Sequence, residues 1–529
     1  MPAIITEQFR IANAENFIKS FSDISDARVI SIGDTTSRYY TFIGQPNSQN
    51  LLAYGSPNWG DGPSPRDGFK EESEVKETIL SLRQITSKDV RRVVPKNSWF
   101  AGDTYEMYRH DYDIYNRTPL NSQPSLYDSK YFVVNEDLKV YICLQNGSSP
   151  DYPSGRPSID EPTFVDLEPR PAGASGDGYI WKYLFTIKPI EIIKFDSIEF
   201  IPIPENWGTV DDSISIKENA IDGKIEIVTI KNRGVGYQPI SNTFTNVPIL
   251  GDGDDGKVTI TVDSFGKVSD IFVTDGGAGY TRGIVKFIPG APGITSTLTN
   301  TGTLAEFEVV IPPKGGHGYD IYRELGAYRV LVYSRFENDT NNPDTISGND
   351  FASIGILKNP TVVGSNVEIL NKYEASGLQS LKLAGITSLT TYNSDSIITQ
   401  TIGTGKTAVG FVASWNNITG VLKYYQPVGL ATVGVGYKIY PFTSSPDVGG
   451  NIVINGSLSQ GTDLAIATGF NGISTVINNR TYQLGSYFIS GISSVEYNKK
   501  SGELIYLDNR FPIPRTVSQK EDIKIILEF

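Results

Sequence analysis

One cysteine, Cys143, stands in the 529 residues of this chain, so it forms no disulfide with itself and builds no cysteine-based metal site. Histidine is nearly as scarce: His110 and His317 are the only two, too few for a zinc triad. No run of about eighteen apolar residues appears, which excludes a membrane-spanning helix. Basic residues are outnumbered, 46 Lys and Arg against 59 Asp and Glu, for a formal charge of −13. Phosphate binding needs a basic face and counterion release, so the charge argues against nucleic acid as a partner. The excess acid reads as a solvated surface. Ile4 and Ile5 are followed at once by Glu7, Gln8 and Arg10, so no secretory signal is expected. Together these absences predict assembly in a reducing cytoplasm, with no cofactor and no membrane insertion.

What is abundant favours strand and turn: 52 Gly, 30 Pro, 29 Tyr and 24 Phe. The most informative stretch is Gly176-Asp-Gly-Tyr-Ile-Trp-Lys-Tyr-Leu-Phe-Thr-Ile187. A tight turn releases into a strand on which Tyr179, Trp181, Tyr183 and Phe185 share one face. Ile180, Leu184 and Ile187 keep the other face from being simply polar. Such a strand needs cover on both sides, from another layer of the core or from a second subunit.

Along the chain, residues 7–22 carry the best helical spacing, and strands are expected at Arg28–Gly33 and Tyr39–Ile43. A Pro/Gly/Asn-rich loop surrounds Trp59 at 46–68, and a second helix is expected at Val75–Leu82. Tyr131–Val134 and Leu138–Leu144 read as a hairpin, followed by a long loop at 146–175 that suggests contact with something outside the domain. An internal repeat comes next. Gly223-Lys-Ile225 leads to Gly234-Val-Gly236-Tyr237, and Gly266-Lys-Val268 leads to Gly277-Ala-Gly279-Tyr280 at the same spacing, with a weaker echo at Gly434-Val-Gly436-Tyr437. From Pro360 to about Ser490 the composition turns to Ser, Thr, Gly and Asn, with hairpins such as Ala408–Trp415 with Val421–Tyr425. The last strand, Ile523–Phe529, is expected to dock into the main sheet.

Motifs for chemistry are weak. Gly403-Thr-Gly-Lys-Thr407 lacks the leading glycine of a phosphate loop, which would fall at Gln400, and a strand follows where a helix is needed, so it reads as a hairpin turn. Gly251-Asp-Gly-Asp-Asp-Gly256 fails the spacing of a calcium loop and reads as a turn between repeat strands. His317 sits in a glycine turn. His110 lies beside Asp111, which would orient it for base chemistry, but no nucleophile signature accompanies it. Asp103 with Glu106, or Asp111 with Asp113, are the acid pairs that sugar hydrolysis would use, and exposed loop acids explain them as simply.

Six segments stand out in order along the chain. They begin with Ile4-Ile-Thr-Glu-Gln-Phe-Arg10 with Asn16-Phe17, and Val93-Val-Pro95 with Trp99 and Asp103-Thr-Tyr105. Then come Val140-Tyr-Ile-Cys-Leu144, the aromatic strand, Ile354-Gly-Ile-Leu-Lys-Asn-Pro360 and Ser501-Gly-Glu-Leu-Ile-Tyr-Leu-Asp-Asn-Arg510. Taken together they resemble the baseplate wedge subunit encoded by gene 8 in T4-like contractile-tailed phages. The similarity covers 1–210, 301–360 and 491–529, the three parts of a core. Residues 211–300, the repeat module, and 361–490, a β-sandwich-like module, read as insertions.

The resemblance implies a mainly β fold: a layered β-sandwich core with small helices in long loops, plus two inserted all-β modules. It further implies a homodimer bound to other baseplate wedge proteins in the tail baseplate of the virion, with no catalytic residues. Trp59, Trp99, Tyr105, Tyr179, Trp181, Tyr183 and Arg510 are the interface candidates. The alternative is a tail-associated protein that binds or cleaves glycans, with host-surface glycan contacted through an insertion.

Overall fold

The computed structural model describes residues 6–21, 37–44, 69–113, 115–116, 123, 125–209, 212–294, 297–337, 345–346, 351–387, 390–394, 396–426, 439–447, 453–455, 463–513, 515–516 and 519–529. The chain is mainly β, with 42% of the described residues in strands against 10% in helix, in several curled antiparallel sheets with few small helices. It divides into two compact units built from separated stretches. The first takes Met1–Ile18, Arg91–Leu331 and Ile526–Phe529; the second takes Lys19–Val90 and Val332–Ile525. Residues 1–210 are therefore shared between both units. The expected strand at Arg28–Gly33, the loop around Trp59 and the echo at Gly434–Tyr437 lie outside the described residues.

In the first unit, Phe132–Val134, Lys139–Asn146 and Tyr179–Thr186 form a three-stranded antiparallel sheet. The turn between the first two is closed by Asn135, whose side-chain oxygen accepts from the Lys139 amide at 2.9 Å. From Tyr179 to Phe185 the aromatic strand is buried or partly buried at every position, so both faces are covered within the chain. Tyr179 stacks on Trp181 at 5.3 Å, and Tyr105 meets both rings edge-on. Each such pair adds about 0.5–1.5 kcal/mol beyond area burial. The entry turn needs glycine: at Gly178, φ is +87° and an added Cβ would sit 2.7 Å from the Cα of Gly147.

The repeat forms a module with its own core, from Ile225 to Ile311. Four strands lie in the order Val268–Asp275, Lys257–Val262, Asn242–Gly251, Gly283–Val285. A further strand, Glu306–Val309, pairs with Val228–Asn232, so the module's closing element lies past residue 300. The two copies clasp each other reciprocally. The Tyr237 amide donates to the Gly266 carbonyl at 3.1 Å, and the Tyr280 amide to the Gly223 carbonyl at 3.3 Å. Both phenols are buried and hold the backbone: Tyr237 donates to the Phe287 carbonyl and Tyr280 to the Ile249 carbonyl.

In the second unit a five-stranded antiparallel sheet runs Glu374–Ser376, Ile79–Ile85, Tyr39–Gly44, Phe351–Lys358, Glu503–Ile513. Its middle strands are buried almost throughout, which explains their unbroken apolar runs. The expected helix at Val75–Leu82 is corrected here. The helix is Phe69–Thr78, and Ile79–Ile85 is a strand, because pairing with Tyr39–Gly44 buries Ile79, Leu80, Leu82 and Ile85 together. A six-stranded sheet runs Val453–Asn455, Ile397–Gly403, Lys406–Asn416, Val421–Tyr425, Gln379–Lys382, Ile492–Ser493. The segment Gly403–Thr407 lies at the hairpin between its second and third strands, with Gly403 opposite Lys406.

Candidate functional site

Burial decides which interface candidates a partner could reach. Tyr105, Tyr179, Trp181 and Tyr183 are each at most 4% exposed inside the first unit. They are core residues, which corrects their reading as interface anchors: their cover comes from the chain itself. The Tyr179 hydroxyl donates to the Arg156 carbonyl at 2.7 Å and accepts from the Tyr105 amide at 2.9 Å. Burial pushes the Tyr105 phenol up to about 12 and raises Tyr179 and Tyr183 as well. Trp99 is partly buried, its indole N–H donating to Ser158 Oγ at 3.1 Å. Arg510 is exposed and pairs with Asp508 at 2.6 Å. Trp59 lies outside the described residues.

The loop at 146–175 is in part a lid on this core. Phe164 packs edge-on against Tyr141, whose hydroxyl donates to the Phe164 carbonyl at 2.6 Å. Asp177 accepts from the amides of Ile159 and Tyr179, locking the lid to the glycine turn. Apolar side chains are left outside both in this loop, at Ile159 and Val165, and beyond it, at Ile190 and Ile193 on the helix Pro189–Phe195 and Ile198 just past it, each more than half exposed. For Ile190 and Ile193, the three-residue spacing within Pro189-Ile-Glu-Ile-Ile-Lys-Phe195 was the available sequence signal.

His110 lines a cleft of about 240 Å³ with Arg109, Asp111, Lys231 and Glu308. The expected His–Asp pair does not form there. Asp111 is gripped by both arms of Arg109, at 3.0 and 2.9 Å, while His110 Nδ1 accepts from the Ile311 amide at 3.3 Å. Burial raises the Asp111 carboxyl, but the Arg109 hydrogen bonds outweigh it and leave it below the usual range. Asp113 accepts from the Tyr115 and Asn116 amides in a turn. Asp103 is exposed and Glu106 buried.

His317 is no mere turn residue. Its Nδ1 lies 2.5 Å from Glu324 Oε1, both side chains are buried, and the Tyr108 ring stands edge-on at 4.7 Å. Lys182, on the aromatic strand, pairs with Glu226 at 2.9 Å in a site nearly closed to solvent. Neither pair was visible in the sequence, since nothing local marks the partners.

A second cleft in the first unit, about 260 Å³, has an apolar floor of Phe185, Trp207 and Ile216. At its rim Arg91 bonds Glu191 through two nitrogens and reaches Glu205 at 3.0 Å. These carboxylates are used up in holding the arginine. In the acidic turn Gly251–Gly256, Asp252 accepts from the Thr281 and Arg282 amides, so it clasps the module. Among the described residues no three His, Cys, Asp or Glu side chains gather as a metal site, and no helix is long and apolar enough to cross a membrane.

No protein-family model matches the chain, and no curated protein matches it.

Proposed function

We propose that this chain is a structural component of the baseplate wedge of a contractile-tailed phage. In this reading it works as a homodimer that holds neighbouring wedge proteins in register, and the chemistry it performs is adhesion. One observation carries the reading beyond the ordered resemblance in sequence. The five-stranded sheet draws Tyr39–Gly44 and Ile79–Ile85 from 1–210, Phe351–Lys358 from 301–360 and Glu503–Ile513 from 491–529. All three stretches that carry the resemblance thus contribute to one sheet.

The second of the acid pairs considered for sugar hydrolysis, Asp111 with Asp113, is in keeping with the same reading. Asp111 is held by Arg109 and Asp113 by backbone amides, leaving neither placed as a proton donor opposite the other.

Two measurements test it. Light scattering on the purified chain is expected to give about twice 58.0 kDa. Antibody labelling of purified particles is expected to mark the tail end at the baseplate. A strict monomer at micromolar concentration removes the dimer, and particles that lack the protein altogether remove the virion role.

A further inference from the structure

A cleft in the second unit, about 430 Å³, falls within the usual span of small-molecule sites, roughly 300–1,000 Å³. It opens between the strands Gln379–Lys382 and Val421–Tyr425 on one side and residues 495–500 on the other, with Glu77 at its edge. The lining mixes aromatic rings, carboxamides and lysine. Tyr425 stacks on Phe411 at 5.4 Å, and Tyr424 packs edge-on against Phe442 at 4.8 Å, so both rings are fixed.

Its polar groups are held in place but not exhausted. The Gln426 amide nitrogen donates to the carbonyls of Val409 and Tyr440, which sets the plane of that carboxamide. Gln379 Oε1 is buried without a partner. Asn498 donates to Asn366 across the rim. Lys499 gives one hydrogen bond to the Glu77 carbonyl at 2.7 Å, and no carboxylate stands at ion-pairing distance from it among the described residues. Burial lowers its ammonium to about 8, and the Glu77 charge nearby offsets that only in part.

We propose that this cleft binds a sugar that carries a carboxylate. The carboxylate pairs with Lys499, the ring hydroxyls exchange hydrogen bonds with the carboxamides of Gln379 and Asn366, and the apolar ring face packs on tyrosine. Hydroxyls need donors and acceptors together, which carboxamides supply, and a desolvated ammonium gains most from an anion. A purely apolar ligand would leave Gln379 Oε1 without a partner and offer the Lys499 ammonium no anion, at a cost. The site stands apart from the assembly role, and its loss would leave that role untouched.

The test is calorimetric titration of the full chain with glucuronate, glucose, acetate and inorganic phosphate. Glucuronate is expected to saturate with a dissociation constant on the order of 1 mM, with glucose and the two simple anions at least about tenfold weaker. Lys499→Gln is expected to weaken glucuronate about tenfold, with circular dichroism reporting whether it folds. Should it not fold, Asn366→Asp, on the exposed rim, adds a repelling carboxylate and is expected to do the same.

Affinity should also fall as pH rises from 7 through 8 to 9.5, as Lys499 loses its proton. The charged and titratable groups facing it are Glu77, Lys500 and the phenols of Tyr424, Tyr425 and Tyr497. Burial raises Tyr424 and Tyr497, which keeps them neutral across that range. The proposal is overturned by absent saturation, by acetate or phosphate binding as tightly as glucuronate, or by folded variants that keep wild-type affinity.

Discussion

The amide of Tyr280 donates to the carbonyl of Gly223, 3.3 Å away and in the other copy of the repeat. The reverse bond, Tyr237 to Gly266, completes a two-way clasp. Duplication here is structural, because each copy supplies the backbone partner that the other one lacks.

Gly223→Ala tests the clasp. Its φ is +67°, and an added Cβ would lie 2.2 Å from the Tyr280 nitrogen, so both conformation and space forbid the methyl. A destabilisation of at least about 1–3 kcal/mol is expected, read from denaturant midpoints. An unchanged midpoint would show that the copies do not depend on each other.

The Lys182–Glu226 pair sets a second expectation. Removing one partner, as in Lys182→Met, leaves a buried carboxylate alone and should cost about 3–5 kcal/mol. Replacing both, Lys182→Met with Glu226→Leu, should recover most of it, since Glu226 Oε2 already lacks a partner. A double variant as unstable as the single one would contradict this.

Acid should loosen the turn held by Asp252. Hydrogen bonds from Thr281 lower its carboxyl from 3.8 to about 2. A folded value below the unfolded one means the contribution is whole above 3.8 and disappears as pH falls towards 2. Thermal melts of wild type and Asp252→Asn should therefore differ at pH 6 and converge near pH 2, with the exposed position keeping the gap small.

Thiol chemistry offers a fourth check. Cys143 is fully buried, and burial raises its thiol well above the ordinary value. An aromatic disulfide reagent should leave the folded chain unmodified at pH 8 and titrate one thiol per chain in denaturant. Rapid labelling of the native protein would mean that the sheet opens at Cys143.

Much of the fold was legible because period-two spacing and turn glycines are local signals. The aromatic strand, the hairpin closed by Asn135, the repeat and the turn at Gly403 to Lys406 all follow from neighbours in sequence. Spacing shows that Tyr179, Trp181 and Tyr183 share a face, but not what covers it. The cover is Tyr105 and the returning loop, through Arg156 against Tyr179 and Arg170 against Trp181, so the rings belong to the core and not to an interface. The helix expected at Val75–Leu82 runs past its true end at Thr78, and only pairing with Tyr39–Gly44 makes Ile79–Ile85 a strand. The cleft around Lys499 was invisible for a related reason, since Glu77, Asn366, Gln379 and Tyr424 are distant until the chain folds.

The sheet holding Tyr39–Gly44 beside Phe351–Lys358 and Glu503–Ile513 has a consequence during synthesis. Tyr39–Gly44 finds one mate early, Ile79–Ile85, but its other edge must wait for Phe351–Lys358, made about 300 residues afterwards. The five-stranded sheet therefore completes only once Glu503–Ile513 has been made, and a polypeptide terminated before it would carry a naked strand edge open to aggregation. The duplicated module, whose strands are neighbours, faces no such delay.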